Sequence, residues 1–265
     1  NSGATGTLIT VPAAFNQMQK DATLAAAEMA GLGSVALMQE PVAAVMGVMK
    51  QRKGDGVFLV FDLGGGTLDI AIAESISGRV SLLAHGGVAM CGGTDFDRSI
   101  LDNVVKPWLL SQFDLPDDFT ANGKYKSLLR MCLWAAEKAK IELSAKEDSV
   151  ISLTESDLGV TDQSGAEIYV DIQFSRKQLD ELIAPKIDEA IPSARETLEK
   201  VGLSAHDVER VVFVGGPTQY KPLRDKVAFE IGIAPSTDVN PMTAVAEGAA
   251  VFAESIDWKS QGRGR

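Results

Sequence analysis

The chain reads as an α/β protein, and three observations predict it. Short apolar runs, Val57-Phe58-Leu59-Val60-Phe61, Ile70-Ala71-Ile72 and Val211-Val212-Phe213-Val214, are continuous rather than alternating, the pattern of strands covered on both faces. Long helical patterns over 124–144 and 176–201 lie among them. Two of the strand-like runs lead into glycine clusters, Gly64-Gly65-Gly66 and Gly215-Gly216, and open α/β folds gather their ligands at such strand ends.

In order, a strand is predicted over 7–12, with nothing before it to pair with. A helix over 17–30 follows, stopped by Gly31 and Gly33, and a second starts at Pro41 and runs through Val48, its proline in the first turn. Residues 50–56, Lys-Gln-Arg-Lys-Gly-Asp-Gly, form a polar turn. Strands over 57–62, 68–75 and 79–86 come next, the last two joined at Ser77-Gly78. Helices are predicted over 95–112 and 124–144, then alternating strands over 149–155 and 167–174 around the turn Asp162-Gln163-Ser164-Gly165. The helix over 176–201 ends at Gly202; strand 211–214 runs into Gly215-Gly216 and a helix after Lys221. A last, alanine-rich helix covers 243–255, and a disordered tail is expected from Lys259. No repeat of 20–50 residues is present.

At 265 residues the chain is long enough for one large domain or two smaller ones. Its 45% hydrophobic and 23% charged content fit a soluble globular protein. A net charge of −11 argues against a nucleic-acid or anionic-membrane surface, so no nucleic acid and no membrane are expected as partners. The charge does not oppose binding a nucleotide, because backbone dipoles and a metal override the global field locally. No apolar stretch approaches the roughly 18 residues a membrane span needs. Cys91 and Cys132 have neither zinc nor disulfide-framework spacing, so reduced cytoplasmic thiols are the expectation.

The densest chemistry lies in Asp62-Leu63-Gly64-Gly65-Gly66-Thr67-Leu68-Asp69. Three glycines leave the backbone bare, so N–H groups can wrap an anion closely. Carboxylates beside such a cradle would repel the anion unless a cation lies between. A phosphate on Gly64, Gly65 and Gly66, with Mg²⁺ bridging to Asp62 and Asp69, reconciles the two. The competing reading is a hairpin whose glycines only supply positive φ. At the second cluster, Gly215-Gly216 before a helix favours a phosphate or ribose oxygen, or else serves close packing.

These segments together resemble the ATPase domain of the seventy-kilodalton heat-shock (DnaK-type) chaperones, within the actin and sugar-kinase superfamily. The resemblance covers residues 6–254 and rests on ordered matches. They are Ile9-Thr10-Val11-Pro12-Ala13, Gln39-Glu40-Pro41-Val42-Ala43-Ala44, Phe61 through Thr67, Gly92-Gly93-Thr94-Asp95-Phe96-Asp97, Glu137 through Ser144, Val214-Gly215-Gly216 and Asn240-Pro241. It implies an actin-like (ribonuclease-H-like) ATPase fold, essentially a second lobe with a remnant of the first. Residues 1–56 would be that remnant, 57–92 and 176–239 the nucleotide-binding core, 93–175 an outer subdomain and 240–258 a helix returning to the first lobe.

The resemblance also implies roles. Gly64, Gly65 and Gly66 would cradle the β- and γ-phosphates of ATP or ADP, and Thr67 would bond the γ-phosphate or the attacking water. Asp62 would organise hydrated Mg²⁺, Glu40 would stand near the metal's water shell and Asp69 would help hold K⁺. Gly215 and Gly216 would line the ribose and α-phosphate, with Glu137, Lys140 and Ser144 closing over the nucleoside. Without the family, Glu137 and Lys140 at i, i+3 read as a solvated helix pair. In the parent protein, a stress-response chaperone, hydrolysis would be coupled to unfolded client proteins, with a J-domain co-chaperone and a nucleotide-exchange factor as partners.

Departures from the family pattern carry expectations too. The family's first phosphate loop, Asp-x-Gly-Thr-Thr, and its upstream lysine do not occur, so hydrolysis by this stretch alone is not expected. Ile141 and Gln219 stand where the family often has arginines stacking on the base, a loss of ~1–2 kcal/mol per contact. Tyr220 could stack on adenine instead or be a core aromatic, and Met242-Thr243 replace an acidic pair. Nothing after Trp258 resembles a peptide-binding domain. The alternatives to a chaperone-type ATPase are a non-hydrolysing nucleotide-binding and protein-interaction module, or a small-molecule kinase of the same superfamily.

Overall fold

The computed structural model describes residues 6–89 and 91–261. Strand β1 (Thr7–Val11) leads to helix α1 (Gln17–Met29), which opens on a capping box: the Gln19 N–H donates to Asn16 Oδ1 and the Asn16 N–H to Gln19 Oε1, both at 2.9 Å. Strand β2 (Val35–Gln39) then pairs with β1 in parallel and runs directly into α2 (Glu40–Gln51). The sequence did not predict β2. Its residues, Val-Ala-Leu-Met-Gln, have weak strand preference, and the ladder with β1 makes it a strand. Helix α2 carries Pro41 in its first turn and continues three residues past Val48.

Strands β3 (Gly56–Leu63), β4 (Thr67–Ile76) and β5 (Arg79–Ala89) form an antiparallel meander. The helix predicted over 95–112 is three segments, α3 (Gly93–Ile100), a π turn (Leu101–Val105) and α4 (Lys106–Gln112). Helix α5 (Lys126–Glu142) precedes β6 (Asp148–Leu153); that strand stops short of 155 because Thr154 caps the one-turn helix α6 (Glu155–Leu158). Strand β7 (Val170–Ser175) pairs with β6, and α7 (Arg176–Glu199) and β8 (Arg210–Val214) follow. The chain closes with α8 (Lys221–Ile231), α9 (Ala244–Ser255) and α10 (Trp258–Gln261). The disordered tail expected from Lys259 is thus helical as far as Gln261, and its remainder, 262–265, lies outside the described residues.

The central sheet has the order β5-β4-β3-β8, with β8 parallel to β3. Both faces are covered, which explains the continuous apolar runs. One face presents Leu59, Phe61, Leu63, Ile70, Ile72 and Phe213 to a core shared with α3, α5, α7 and α8. Phe61 and Phe213 meet edge to face there, centroids 5.7 Å apart. The other face presents Phe58, Val60, Ala71, Ala73 and Val212 to Ala44, Val45 and Val48 of α2 and Ala244 of α9. Helices α2 and α9 meet backbone to backbone: a Cβ on Gly248 would run into the Ala43 carbonyl, and one on Gly47 would lie 3.3 Å from the Ala244 carbonyl. Cys91 and Cys132 are free and buried, and burial pushes their thiols up to about 11 and about 12, so both are unreactive at neutral pH. No helix among the described residues is long and apolar enough to cross a membrane.

Candidate functional site

The turn between β3 and β4 holds Gly64, Gly65 and Gly66. Its hairpin closes through the Gly64 N–H, which donates to the Thr67 carbonyl at 3.0 Å. The start of α3 ties it down from outside: the Gly93 N–H donates to the Gly64 carbonyl at 2.9 Å and the Thr94 N–H to the Gly65 carbonyl at 2.8 Å. None of the three glycines has a positive φ, so the hairpin reading that would explain them by backbone conformation fails. Space does not require them either. A Cβ on Gly64 would lie 3.7 Å from the Thr67 carbonyl, one on Gly65 3.6 Å from Thr94 Oγ1, and one on Gly66 would meet nothing within 4 Å. The chain itself therefore gives no reason for bare backbone at three consecutive positions, two of them exposed.

Three carboxylates flank the turn from the α2–α9 side of the sheet. Asp62 and Asp69 are cross-strand partners of β3 and β4, and Glu40 is the first residue of α2. Burial lifts Asp62 to about 7, with Glu40 and Asp69 adding repulsion. Burial and then Asp69 raise Glu40. Asp69 is raised by burial too, against the hydrogen bond from Thr67 Oγ1 at 3.4 Å and the nearby His85. Among the described residues no group of three His, Cys, Asp or Glu side chains could hold a metal directly. The expected ligand set of Asp62, Asp69 and Glu40 is therefore not a direct cage: two members sit on adjacent strands and the third on a helix. Their mutual repulsion fits a cation that keeps water between itself and the carboxylates, as Mg²⁺, which dehydrates reluctantly, commonly does.

The second glycine turn divides its labour. Gly215 has φ +101°, and a Cβ there would collide with the Leu63 carbonyl, so this residue is glycine because β8 ends hard against β3. Its N–H donates to the Pro241 carbonyl at 3.0 Å. Gly216 is free of that constraint, opens a short 3₁₀ turn (Gly216–Gln219) and faces a cavity. The cavity has a volume of about 300 Å³ and runs between the two glycine turns and α5. Gly65, Gly93 and Thr94 line one part of it; Ile141, Ser144, Gln219 and Met242 line another, over the buried side chains Leu179, Ile183 and Leu223.

Glu137, Lys140, Ile141 and Ser144 reach the cavity together because their spacing follows one face of α5 and its end. Lys140 is less free than the sequence suggested. Its ammonium lies 2.6 Å from Asp97 Oδ1 and donates to the Gly93 carbonyl at 3.1 Å, with both side chains largely buried. Burial raises the Asp97 carboxyl and the Lys140 contact opposes it. Asp97, quoted in the sequence only as the last residue of Gly92-Gly93-Thr94-Asp95-Phe96-Asp97 and given no role there, is the buried partner of Lys140. Tyr220 is buried and its hydroxyl donates to Asp180, so it forms a wall of the cavity and is not free to stack. Ser144 also receives Arg176 Nη2 on its carbonyl at 3.2 Å. Glu40, Asp62, Thr67 and Asp69 lie at the glycine turn, outside the cavity lining; Gly65 belongs to both.

A family model described as Hsp70 protein matches residues 2–259. A chaperone protein DnaK of Nitrosopumilus maritimus is 37% identical over 251 residues, 94% of this chain and 38% of that protein. A second, from Deinococcus proteolyticus, is 36% identical over 256 residues, 97% of this chain and 39% of that protein. A third, from Trichormus variabilis, is 37% identical over 253 residues, 95% of this chain and 35% of that protein. The chain belongs to the Hsp70 family. An Hsp70 chain of this length spans well under half of the relatives it matches. The family's fold is the actin-like ATPase fold that the resemblance implied, and the sheets and helices described here are those of a mixed α/β protein.

Proposed function

We propose that this Hsp70 chain binds an adenine nucleotide in the cleft between its two glycine turns. The observation that carries the reading is the bare turn at Gly64, Gly65 and Gly66, three glycines that neither dihedral angles nor packing require. A phosphate is the ligand whose approach would need all three. The N–H groups of Gly65 and Gly66, which form no hydrogen bond among the described residues, are the donors; Thr67 orients its hydroxyl beside them toward Asp69.

Asp62, Asp69 and Glu40 would hold the water shell of Mg²⁺, with Asp69 placed for K⁺. When bound, Mg²⁺ supplies positive charge between the phosphates and the carboxylates. Gly216 opens the ribose end to the ligand, and Glu137 and Ser144 offer an acceptor and a hydroxyl along α5. For the whole protein the proposal is a chaperone ATPase that couples nucleotide turnover to unfolded client proteins, assisted by a J-domain partner and an exchange factor. In that setting these residues position and neutralise a phosphoryl group and form no covalent bond to it.

Calorimetric titration with Mg·ADP and Mg·ATP tests the reading, repeated on Asp62→Ala. The wild-type chain is expected to bind both, and the variant to lose at least about tenfold in affinity, the loss of one charge-assisted contact. Absence of binding to the wild-type chain overturns the nucleotide reading; unchanged binding by the variant overturns the role of Asp62.

A further inference from the structure

Both glycine turns and α5 meet at the first turn of α3. Gly92, the residue before the helix, is pressed against the first glycine turn, since a Cβ there would lie 2.6 Å from the Gly65 carbonyl carbon. A Cβ on Gly93 would lie 3.0 Å from Pro217 Cγ in the second turn and 3.4 Å from Lys140 Nζ. The Gly93 and Thr94 N–H groups are spent on the Gly64 and Gly65 carbonyls, at 2.9 and 2.8 Å. Those two bonds decide where the free donors of the glycine turn point. A peptide unit is planar and trans, so its carbonyl and the following N–H lie in one plane and point opposite ways. Pinning the Gly64 carbonyl to α3 therefore fixes the Gly65 N–H on the far side, and pinning the Gly65 carbonyl fixes the Gly66 N–H.

The first turn of α3 is held from outside the helix. Gly92 has no side chain to cap it. The Lys140 ammonium donates to the Gly93 carbonyl at 3.1 Å instead, reaching across from α5. Asp97, one turn further along α3, keeps the ammonium there through Oδ1 at 2.6 Å. Asp97 is only 6% exposed, and its Oδ1 is sealed from solvent and takes no hydrogen bond from any other group among the described residues. A buried carboxylate that faces a single ammonium leaves that ammonium little freedom to turn elsewhere.

We propose that Asp97 is a positioning residue for the phosphate turn. By fixing the Lys140 ammonium on the Gly93 carbonyl, it holds the first turn of α3 against Gly64 and Gly65 and keeps the Gly65 and Gly66 N–H groups aimed together. The inference rests on the nucleotide reading above and deepens it. Lys140 then serves the phosphates from behind, through backbone, whereas a lysine that only closed over the nucleoside would act on the ribose end alone. Donors aimed before the ligand arrives bind more tightly than donors that must be gathered by it.

Calorimetric titrations of the whole chain with Mg·ADP and with Mg·pyrophosphate, which has neither ribose nor base, decide it. Asp97→Asn keeps the shape of the side chain and removes its charge. It is expected to weaken both ligands about threefold to tenfold and by equal factors, with the fraction of chains that bind unchanged. Partial unfolding would instead lower that fraction and leave the affinity of the remaining chains alone. Lys140→Met is expected to match Asp97→Asn. The double variant, which leaves no unpaired buried charge, is expected to bind no more weakly than either single one, because the two side chains act as a unit. Unchanged pyrophosphate affinity in the double variant overturns the inference, as does a loss confined to ADP, which would put Lys140 on the nucleoside. A wild-type chain that binds ADP but not pyrophosphate overturns it too, since the turn would then not hold phosphate by itself. Failure of the wild-type chain to bind either ligand overturns the nucleotide reading itself, a separate result.

Discussion

The two glycine turns at the ends of adjacent strands are built for opposite reasons. Gly215 is demanded from within: its φ of +101° and the Leu63 carbonyl against it exclude any side chain. Gly64, Gly65 and Gly66 are demanded by nothing in the chain: none has a positive φ, a Cβ on Gly64 or Gly65 would make only an ordinary contact, and one on Gly66 would meet nothing within 4 Å. Gly92 belongs with Gly215, since a Cβ there would lie 2.6 Å from the Gly65 backbone. A glycine that the fold does not need is evidence about the outside of the molecule, and a glycine that it does need is not. Position by position, steric environment separates a site from its scaffold where the residue type alone does not.

Substitutions that add a single methyl group test this contrast most directly. Gly215→Ala is expected to have the largest effect, costing about 3 kcal/mol from the disfavoured φ plus the collision with Leu63, and lowering the thermal midpoint by about 8 °C. A melt within about 1 °C of wild type would mean that β8 can draw back from β3 and that the turn is not constrained from within.

Asp62→Asn has an intermediate effect that changes with pH. The folded Asp62 titrates at about 7, above the ordinary 3.8, because burial and two neighbouring carboxylates disfavour its charge. Its raised value makes the folded state favoured below pH 3.8, and that advantage is lost as pH rises toward 7. Removing the charge is thus expected to stabilise the chain at pH 8 by on the order of 2 kcal/mol and to do little at pH 4, as read from urea midpoints at the two pH values. An equal shift at both would show that the substitution acts through packing. Gly66→Ala is expected to have the smallest effect on stability, within about 0.5 kcal/mol, while weakening Mg·ADP at least about tenfold. A destabilised Gly66→Ala with unchanged affinity would erase the contrast between the turns.

Much of this architecture is legible in the residues. The runs 57–61 and 211–214 became β3 and β8 because continuous apolar strands need cover on both faces, and the sheet has it. The glycine-carboxylate motif marked the turn because its residues are contiguous. Less legible was whatever depends on partners far apart in sequence. β2 exists through its ladder with β1, and Asp97 becomes a buried counter-ion only when α5 brings Lys140 to it. Tyr220 reads as a candidate stacking residue in sequence because Asp180, which holds its hydroxyl, lies 40 residues away along the chain. A sequence names the groups at a site, whereas which of them are already occupied is decided by tertiary contacts.

The meeting of α2 and α9 has a consequence for Glu40. Where two helices touch through interlocked side chains, rotamers can yield and the axes can creep past each other by fractions of an ångström. At Gly248 and Ala43 there is backbone on either side and nothing that can turn. Such a joint has no slack: the helices keep their spacing, or they separate altogether. Glu40 heads the helix that this joint clamps, so the backbone that carries its carboxylate toward Asp62 is fixed by a contact a turn away along α2, and a residue as small as alanine at position 248 would displace that backbone without touching the glycine turn.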